Sequence, residues 1–358
     1  MPRTGTATLP LHHGKAPKWL FERMSILSRE IIYAIVSEFG QKAFLEKVSD
    51  PFWFQALGCV LGFDWHSSGL TTTVTGALKE GLRGMEQELG LFIAGGKGAT
   101  SRKTPEHILR YSDRFGVQPE PLIYASRMSA KVDNTAVQDG YKLYHHVFVF
   151  SYRGEWAVVQ QGMNDMNKRA RRYHWLASRV RDFVVEPHAA VCCDRTGKTL
   201  NMVASESEEA RRICTDLSKE SPKKVLDELK KVASIDLSDR HGIKLSDIDP
   251  RKIQRILVNT YERKPHNFER LLGMKGVGPK TLRALSLVSE IVYGKPPSFR
   301  DPARFSFAHG GKDGTPFPVD RKTYDETTRV MEKAIQSARI GRQEKIKAVR
   351  MLAKFYEV

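Results

Sequence analysis

The stretch LYHHVFVFSYRGEWAVVQQG, residues 143–162, constrains the fold more than any other part of the chain. β-Branched and aromatic residues crowd both sides of the short polar turn YRGE, which predicts two antiparallel strands joined as a hairpin. A further strand is expected in TLNMVAS, just before a capping box at Ser205–Glu208. Upstream the pattern is helical. APKWLFERMSILSREIIYAIVSEFG has apolar residues at helical spacing and is expected to end at Gly40. TPEHILRYSDRFG reads as another helix, with Thr104 as its cap and Glu106 in the first turn. From about residue 205 onward almost everything is helical in pattern. The expected architecture is therefore an α+β N-terminal domain with a small antiparallel sheet, residues 1–215, followed by an all-α domain, residues 216–358. The charged stretch SKESPKKVLDELKK marks the boundary.

Charge narrows the choice of partners. Across 358 residues, 58 Lys and Arg stand against 41 Asp and Glu, a formal net charge of +17. Such an excess suits a polyanion, and nucleic acid is the commonest one. The expected partner is DNA, with RNA left open, and the oligomeric state is undecided. No apolar run approaches the ~18 residues of a membrane span, and the start of the chain lacks a charged-then-apolar signal pattern. Cys59, Cys192, Cys193 and Cys214 form no C-x-x-C pair, so neither a zinc knuckle nor a disulfide framework is suggested. These features predict a soluble, cytoplasmic protein with reduced thiols.

Within the helical half, FERLLGMKGVGPKTLRALSLVSEIVYG joins two apolar helical runs through two glycines and a proline. Proline after glycine can open a helix, since its missing N–H would have no partner there. Gly276 and Gly278 permit unusual backbone angles and leave no side chain between the turn and a ligand. The free donors of the next helix then favour an anion such as phosphate. This stretch resembles a helix-hairpin-helix motif, and the resemblance extends to the base-excision DNA glycosylase superfamily. It implies DNA-backbone contacts from Gly276, Val277, Gly278, Lys280 and Thr281. It also implies a Schiff-base lysine at Lys280 and an essential aspartate at Asp320, in PFPVDRKTYDE. Asp320 stands further downstream than in that superfamily, so KPPSFRDPARFSFAHGGKDGT, with His309 and Asp313, reads as an insertion.

The N-terminal half offers a different chemistry. LPLHHGKAPKWL, GFDWHSSG and SAKVDNTAVQDGYKLYHH place His12, His13, Asp64, His66, Asp133, Asp139, His145 and His146 in turns or at strand starts. Histidine and carboxylate are ligands for Mn²⁺, Mg²⁺ or Zn²⁺, and such an ion activates water against a phosphodiester. Asp64, His66, His145 and His146 are the candidate metal ligands, and Asp64, His66, Asp133 and Asp139 the candidate catalytic groups. VVQQGMN ends a strand with two amides, Gln160 and Gln161. KRARRYHWLASRVR then interleaves Arg169, Arg171, Arg172, Arg179 and Arg181 with Tyr173, His174 and Trp175. Charge beside aromatic faces suits a single-stranded or flipped nucleotide, and a solvated helix face is the plainer alternative.

The phrases RTGTATLPLHHGKAPKWL, GFDWHSSG, VVQQGMN, RRYHWL and FAHGGKDGTPFPVDR also resemble a family of unknown function found largely in archaea and thermophilic bacteria. That resemblance spans nearly the whole chain and implies that the two halves work as one unit. Three readings follow. The leading one is a metal-dependent nuclease acting in DNA repair or processing. The second is a glycosylase or abasic-site lyase using Lys280 and Asp320, and the third a DNA-binding protein without chemistry.

Overall fold

The computed structural model describes residues 16–63, 68–193, 196–233, 250–303 and most of 329–350. The first helical segment, α1 (Lys18–Ser49), breaks at Gly40, where its pattern places the end. Gly40 takes a φ of 81°, bends the chain, and the helix resumes to Ser49. Asp50 then caps α2 (Pro51–Val60), its carboxylate accepting from the N–H of Phe52 at 2.8 Å and of Trp53 at 3.1 Å. After α3 (Gly69–Leu82) and the single turn α4 (Glu86–Leu89) comes β1 (Leu91–Lys97). The short α5 (Ala99–Arg102), α6 (Thr104–Phe115) and α7 (Pro119–Lys131) follow. A π-helical turn, Val132–Ala136, extends α7 and carries Asp133, and β2 (Val137–Gln138) leads out of it.

The predicted hairpin is present. β3 (Lys142–Ser151) and β4 (Trp156–Asn164) pair antiparallel around residues 152–155. They form the middle of a five-stranded sheet in the order β1-β3-β4-β5-β6, antiparallel throughout, with β5 at Arg169–Leu176 and β6 at Ala190–Cys192. The arginine-rich segment 169–176 is thus a strand of this sheet and not a solvated helix. β7 (Leu200–Asn201) pairs with β2.

Side chains alternate along each strand, so the sheet is covered on both faces. Val147, Val149, Ala157 and Val159 pack with α1, α2 and α3, the α3 face. Val330, Met331, Ala334 and Ile335, near the end of the chain, join that same cluster. Phe148, Phe150, Trp156, Val158, Tyr173 and Trp175 pack with α6 and α7, the α7 face.

The remaining helices are α8 (Glu208–Leu217), α9 (Pro222–Ala233), α10 (Pro250–Arg263), α11 (Phe268–Gly273) and α12 (Pro279–Ile291). The region beyond residue 215 is therefore mostly helical, and its apolar residues, among them Leu217, Leu257, Leu271 and Leu285, continue the cluster of the α7 face. Among the described residues no helix is long and apolar enough to cross a membrane.

Candidate functional site

Three doublets of the sequence, His145–His146, Gln160–Gln161 and Arg171–Arg172, lie on adjacent strands. Because neighbours in a strand point to opposite faces, each doublet is divided by the sheet. Register completes the pattern: His145 lies opposite Gln161, which lies opposite Arg172, while His146 lies opposite Gln160. From these doublets each face of the sheet receives one histidine, one glutamine and one arginine, all buried, and His174 of β5 adds a second buried histidine to the α3 face.

On the α3 face, His145 Nε2 meets Thr75 Oγ1 at 2.9 Å, and that hydroxyl donates to the carbonyl of Thr71 at 2.7 Å. His145 Nε2 therefore carries the proton, and its buried Nδ1 has no partner among the described residues. Burial, with smaller repulsion from His146 and Lys97, pulls the imidazole pKa down to about 3. Gln161 accepts from Thr71 Oγ1 and donates to the Ser68 carbonyl at 2.9 Å. Arg172 donates to Gln55 Oε1 at 3.0 Å and lies 4.8 Å over the ring of Phe54. Burial lowers its pKa to about 10.

On the α7 face a hydrogen-bonded chain runs across the sheet. Ser126 Oγ lies 3.0 Å from His146 Nε2, and His146 Nδ1 lies 2.7 Å from Gln160 Oε1. Since a carbonyl oxygen only accepts, Nδ1 bears the His146 proton and Ser126 donates to Nε2. Burial lowers the pKa of His146, which keeps it neutral. Gln160 Nε2 donates to the Ser129 carbonyl at 3.1 Å and to Asp133 Oδ2. Trp175 Nε1 donates to the same oxygen at 2.9 Å, and His188 Nε2 meets Asp133 Oδ1. Asp133 is fully buried, so these donors replace the water it has lost.

Arg171, on the same face, is held by two carboxylates. Its Nη1 donates to Asp139 at 2.8 Å, and it clasps Asp301 through both nitrogens at 3.0 and 2.8 Å. Tyr173 also donates to Asp139, at 2.6 Å. Burial opposes the charge of Arg171, but the neighbouring carboxylates win and hold its pKa well above the ordinary value.

The structure therefore distributes the residues that the sequence singled out. His145 and His146 lie on opposite faces of the sheet, where one ion cannot take both. Asp133 joins His146 through Gln160, whereas Asp139 belongs to the Arg171 network. Arg171 and Arg172 are enclosed in the fold and present no basic surface to a nucleic acid. Asp64, His66, Asp320, His12, His13, His309 and Asp313 lie outside the described residues. No three His, Cys, Asp or Glu side chains gather around a common point among the described residues.

The turn 274–278 between α11 and α12 is built as its composition suggests in one respect and not in another. Gly276 has a φ of 94°, which a side chain would strain, whereas Gly278 at −133° is extended backbone open to any residue. Val277 is buried, and its carbonyl accepts from Lys131 Nζ. The N–H groups of Gly276 and Gly278 donate to no protein acceptor among the described residues. Pro279 occupies the first position of α12, Lys280 is exposed beside it, and Thr281 is buried.

A cleft of about 850 Å³ opens between α1, α2 and the β6 edge of the sheet. His188, Asp50, Trp53, Arg179, Arg300 and Arg329 are among its walls. Neither His188 nor Asp301, which also lines it, stood out in the sequence. EPHAAVCC and FRDPARF show no spacing that separates them from ordinary loop residues.

No curated protein and no solved structure matches the chain. A family model matches residues 5–319, and the chain thereby belongs to the family described as a protein of unknown function, DUF763.

Proposed function

We propose that the protein binds DNA through the turn 274–278 and the first turn of α12, as a helix-hairpin-helix motif does, and that it acts on the DNA as a hydrolase. The observation that carries the binding reading is the pair of open N–H groups at Gly276 and Gly278, next to the exposed Lys275 and Lys280. Orphan donors at a helix start favour an anion, and the net charge of +17 favours a polyanion over a small one. Lys280 in this reading is a phosphate-facing cation. Being exposed, it lacks the enclosed setting in which a lysine amine serves as a nucleophile.

Gly278 gives a clean test. A Cβ there meets nothing nearer than the Gly276 carbonyl oxygen at 3.9 Å, so Gly278→Val leaves the fold intact while crowding an approaching phosphate. Combined with Lys280→Ala, it is expected to weaken binding of a duplex oligonucleotide about tenfold or more, near 1.4 kcal/mol. Wild-type affinity is expected to fall steeply with salt as counterions are released. Wild-type binding by the folded double variant would take the turn out of the interface.

The hydrolase part is narrower. The proposed metal set would need Asp64 and His66 together with one of the two strand histidines, since both cannot reach one ion. Cutting of a labelled oligonucleotide in Mn²⁺ or Mg²⁺, and its loss in chelator, tests that ion directly. Cutting confined to abasic DNA, undiminished by chelator, would favour the lyase reading instead.

A further inference from the structure

We infer that the cleft between α1, α2 and the β6 edge is the hydrolytic centre, in which His188 takes the proton from an attacking water and Arg179 and Arg329 hold a phosphodiester. The inference rests on the hydrolase reading above and gives it a centre separate from the metal set of Asp64, His66 and a strand histidine.

Three observations meet there. The first is the histidine. Its side chain is only 7% exposed, its Nε2 is committed to Asp133, and Trp175 closes on the ring edge-on at 4.7 Å between centroids. Nε2 donates to the carboxylate, so Nδ1 carries the lone pair, and Nδ1 has no partner among the described residues. A histidine fixed by a buried carboxylate through one nitrogen, with the other left open in a cleft, is the arrangement of a general base and its orienting group.

The second observation is the charge around it. Arg300 is occupied by Glu186 and Glu206, at 3.5 and 3.0 Å. Arg179 and Arg329 are exposed and pair with no carboxylate among the described residues. Two uncommitted guanidiniums in one concave site call for an anion that each can grip in a forked geometry, as phosphate allows. The third is size. A volume of about 850 Å³ falls within the range of sites that enclose a ligand as large as a nucleotide.

The Ser126–His146 pair is a rival by composition, a hydroxyl bonded to an imidazole. Ser126 is buried and does not line the cleft that holds His188, Arg179 and Arg329.

The reaction balances without a redox partner. Water oxygen bonds to phosphorus while one ester P–O bond breaks, and its electron pair leaves on the departing oxygen. His188 Nδ1 takes one proton of the water, the leaving oxygen takes a proton from solvent, and the imidazolium later returns its own. The products are a phosphomonoester and an alcohol. Asp133 touches no reacting atom. It is a positioning residue that fixes the tautomer and favours the imidazolium as it forms.

The test uses the full chain, with bis(p-nitrophenyl) phosphate and a labelled single-stranded oligonucleotide as probes in Mn²⁺ or Mg²⁺, and duplex binding measured in chelator. His188→Gln is expected to lower kcat on both probes by about 10²–10⁴-fold with KM little changed. Asp133→Asn should lower kcat as well, again sparing KM, which a general loss of structure would not do. The double variant Arg179→Ala, Arg329→Ala changes exposed side chains and is expected to raise KM about tenfold or more. All should bind duplex DNA as the wild type does. Wild-type rates in folded His188→Gln would overturn the assignment. Should that variant not fold, unchanged kinetics in the arginine pair would overturn it equally. A wild type that binds DNA yet hydrolyses neither probe also overturns it and leaves the DNA-binding reading standing. Hydrolysis without DNA binding would sink that reading and keep this one.

Discussion

On the α7 face of the sheet, His146 and Arg171 are linked to buried carboxylates, Asp133 through Gln160 and Asp139 directly. On the α3 face, His145, Gln161 and Arg172 bond to hydroxyls, amides and a carbonyl. The same three residue types are thus put to different use, and only on the α3 face do they stand in one cross-strand row. A carboxylate can hold charge in place inside the fold, and on the α7 face its chain of donors extends to His188 at the cleft. Hydroxyls and amides fix geometry but carry no charge, and burial keeps both histidines of the α3 face, His145 and His174, neutral far into acid. The difference separates a face that can support proton transfer from one that orders the packing of α2 and α3 on the sheet.

The largest effect that would sharpen this contrast lies at Arg171. Arg171→Met removes the cation shared by Asp139 and Asp301 and leaves both carboxylates enclosed, at 1% and 6% side-chain exposure. Breaking such a buried pair from one side costs about 3–5 kcal/mol. Because Asp301 lies beyond α12 and Asp139 precedes β3, the loss should also loosen the segment around residue 300 from the sheet. Denaturant unfolding at neutral pH checks the first effect, and hydrogen exchange at residues 298–303 the second. An unchanged unfolding midpoint would mean that the ion network does not hold the two halves together.

How much of this was legible in the sequence depended on the kind of signal. The β3–β4 hairpin announced itself because β-branched and aromatic residues flank a turn whose Gly154 has a φ of 83°. β1 gave no such signal, since LFIAGGK runs into two glycines and is buried for most of its length without alternation. β5 was obscured by its arginines, which imply solvent until the carboxylates that neutralise them are known. Those partners, Asp139 and Asp301, lie 32 and 130 positions away from Arg171, a separation that no local pattern encodes. The histidine doublet invited a shared metal site because adjacency in sequence suggests adjacency in space, and strand geometry denies it. His188 was silent for the same reason as Asp301. Its role is set by Asp133, 55 positions upstream.

A second, smaller effect belongs to the α3 face and to acid. His145 has an ordinary pKa near 6.5 when unfolded and about 3 in the fold. Above pH 6.5 both states are neutral and the group contributes no pH dependence. As pH falls below 6.5 the unfolded chain takes a proton that the folded chain refuses. Stability is therefore lost progressively between about pH 6.5 and 3, at up to about 1.4 kcal/mol per unit. His146, whose pKa is also lowered, adds to the same trend. His145→Gln should remove close to one proton from the slope of unfolding free energy against pH. His174, on the same face, is also held well below its ordinary value by burial, so an unaltered slope would place the acid sensitivity on His174 or His146.

The smallest effects distinguish the two histidines by what each hydroxyl provides. Thr75→Val keeps the shape of the side chain and removes the oxygen that accepts from His145 Nε2. The buried His145 Nδ1 already has no partner among the described residues, so the ring would keep none among them, at a cost of about 1–3 kcal/mol. Ser126→Ala leaves His146 its bond to Gln160, so the cost should stay near 1 kcal/mol. The Gln160–Asp133–His188 part of the chain is then untouched, and the phosphodiesterase rate of Ser126→Ala should match that of the wild type. Loss of that rate with the fold intact would transfer the chemistry from His188 to a buried serine. It would also require an opening to Ser126 on the α7 face, and the contrast between an open His188 and a sealed Ser126 would fail with it.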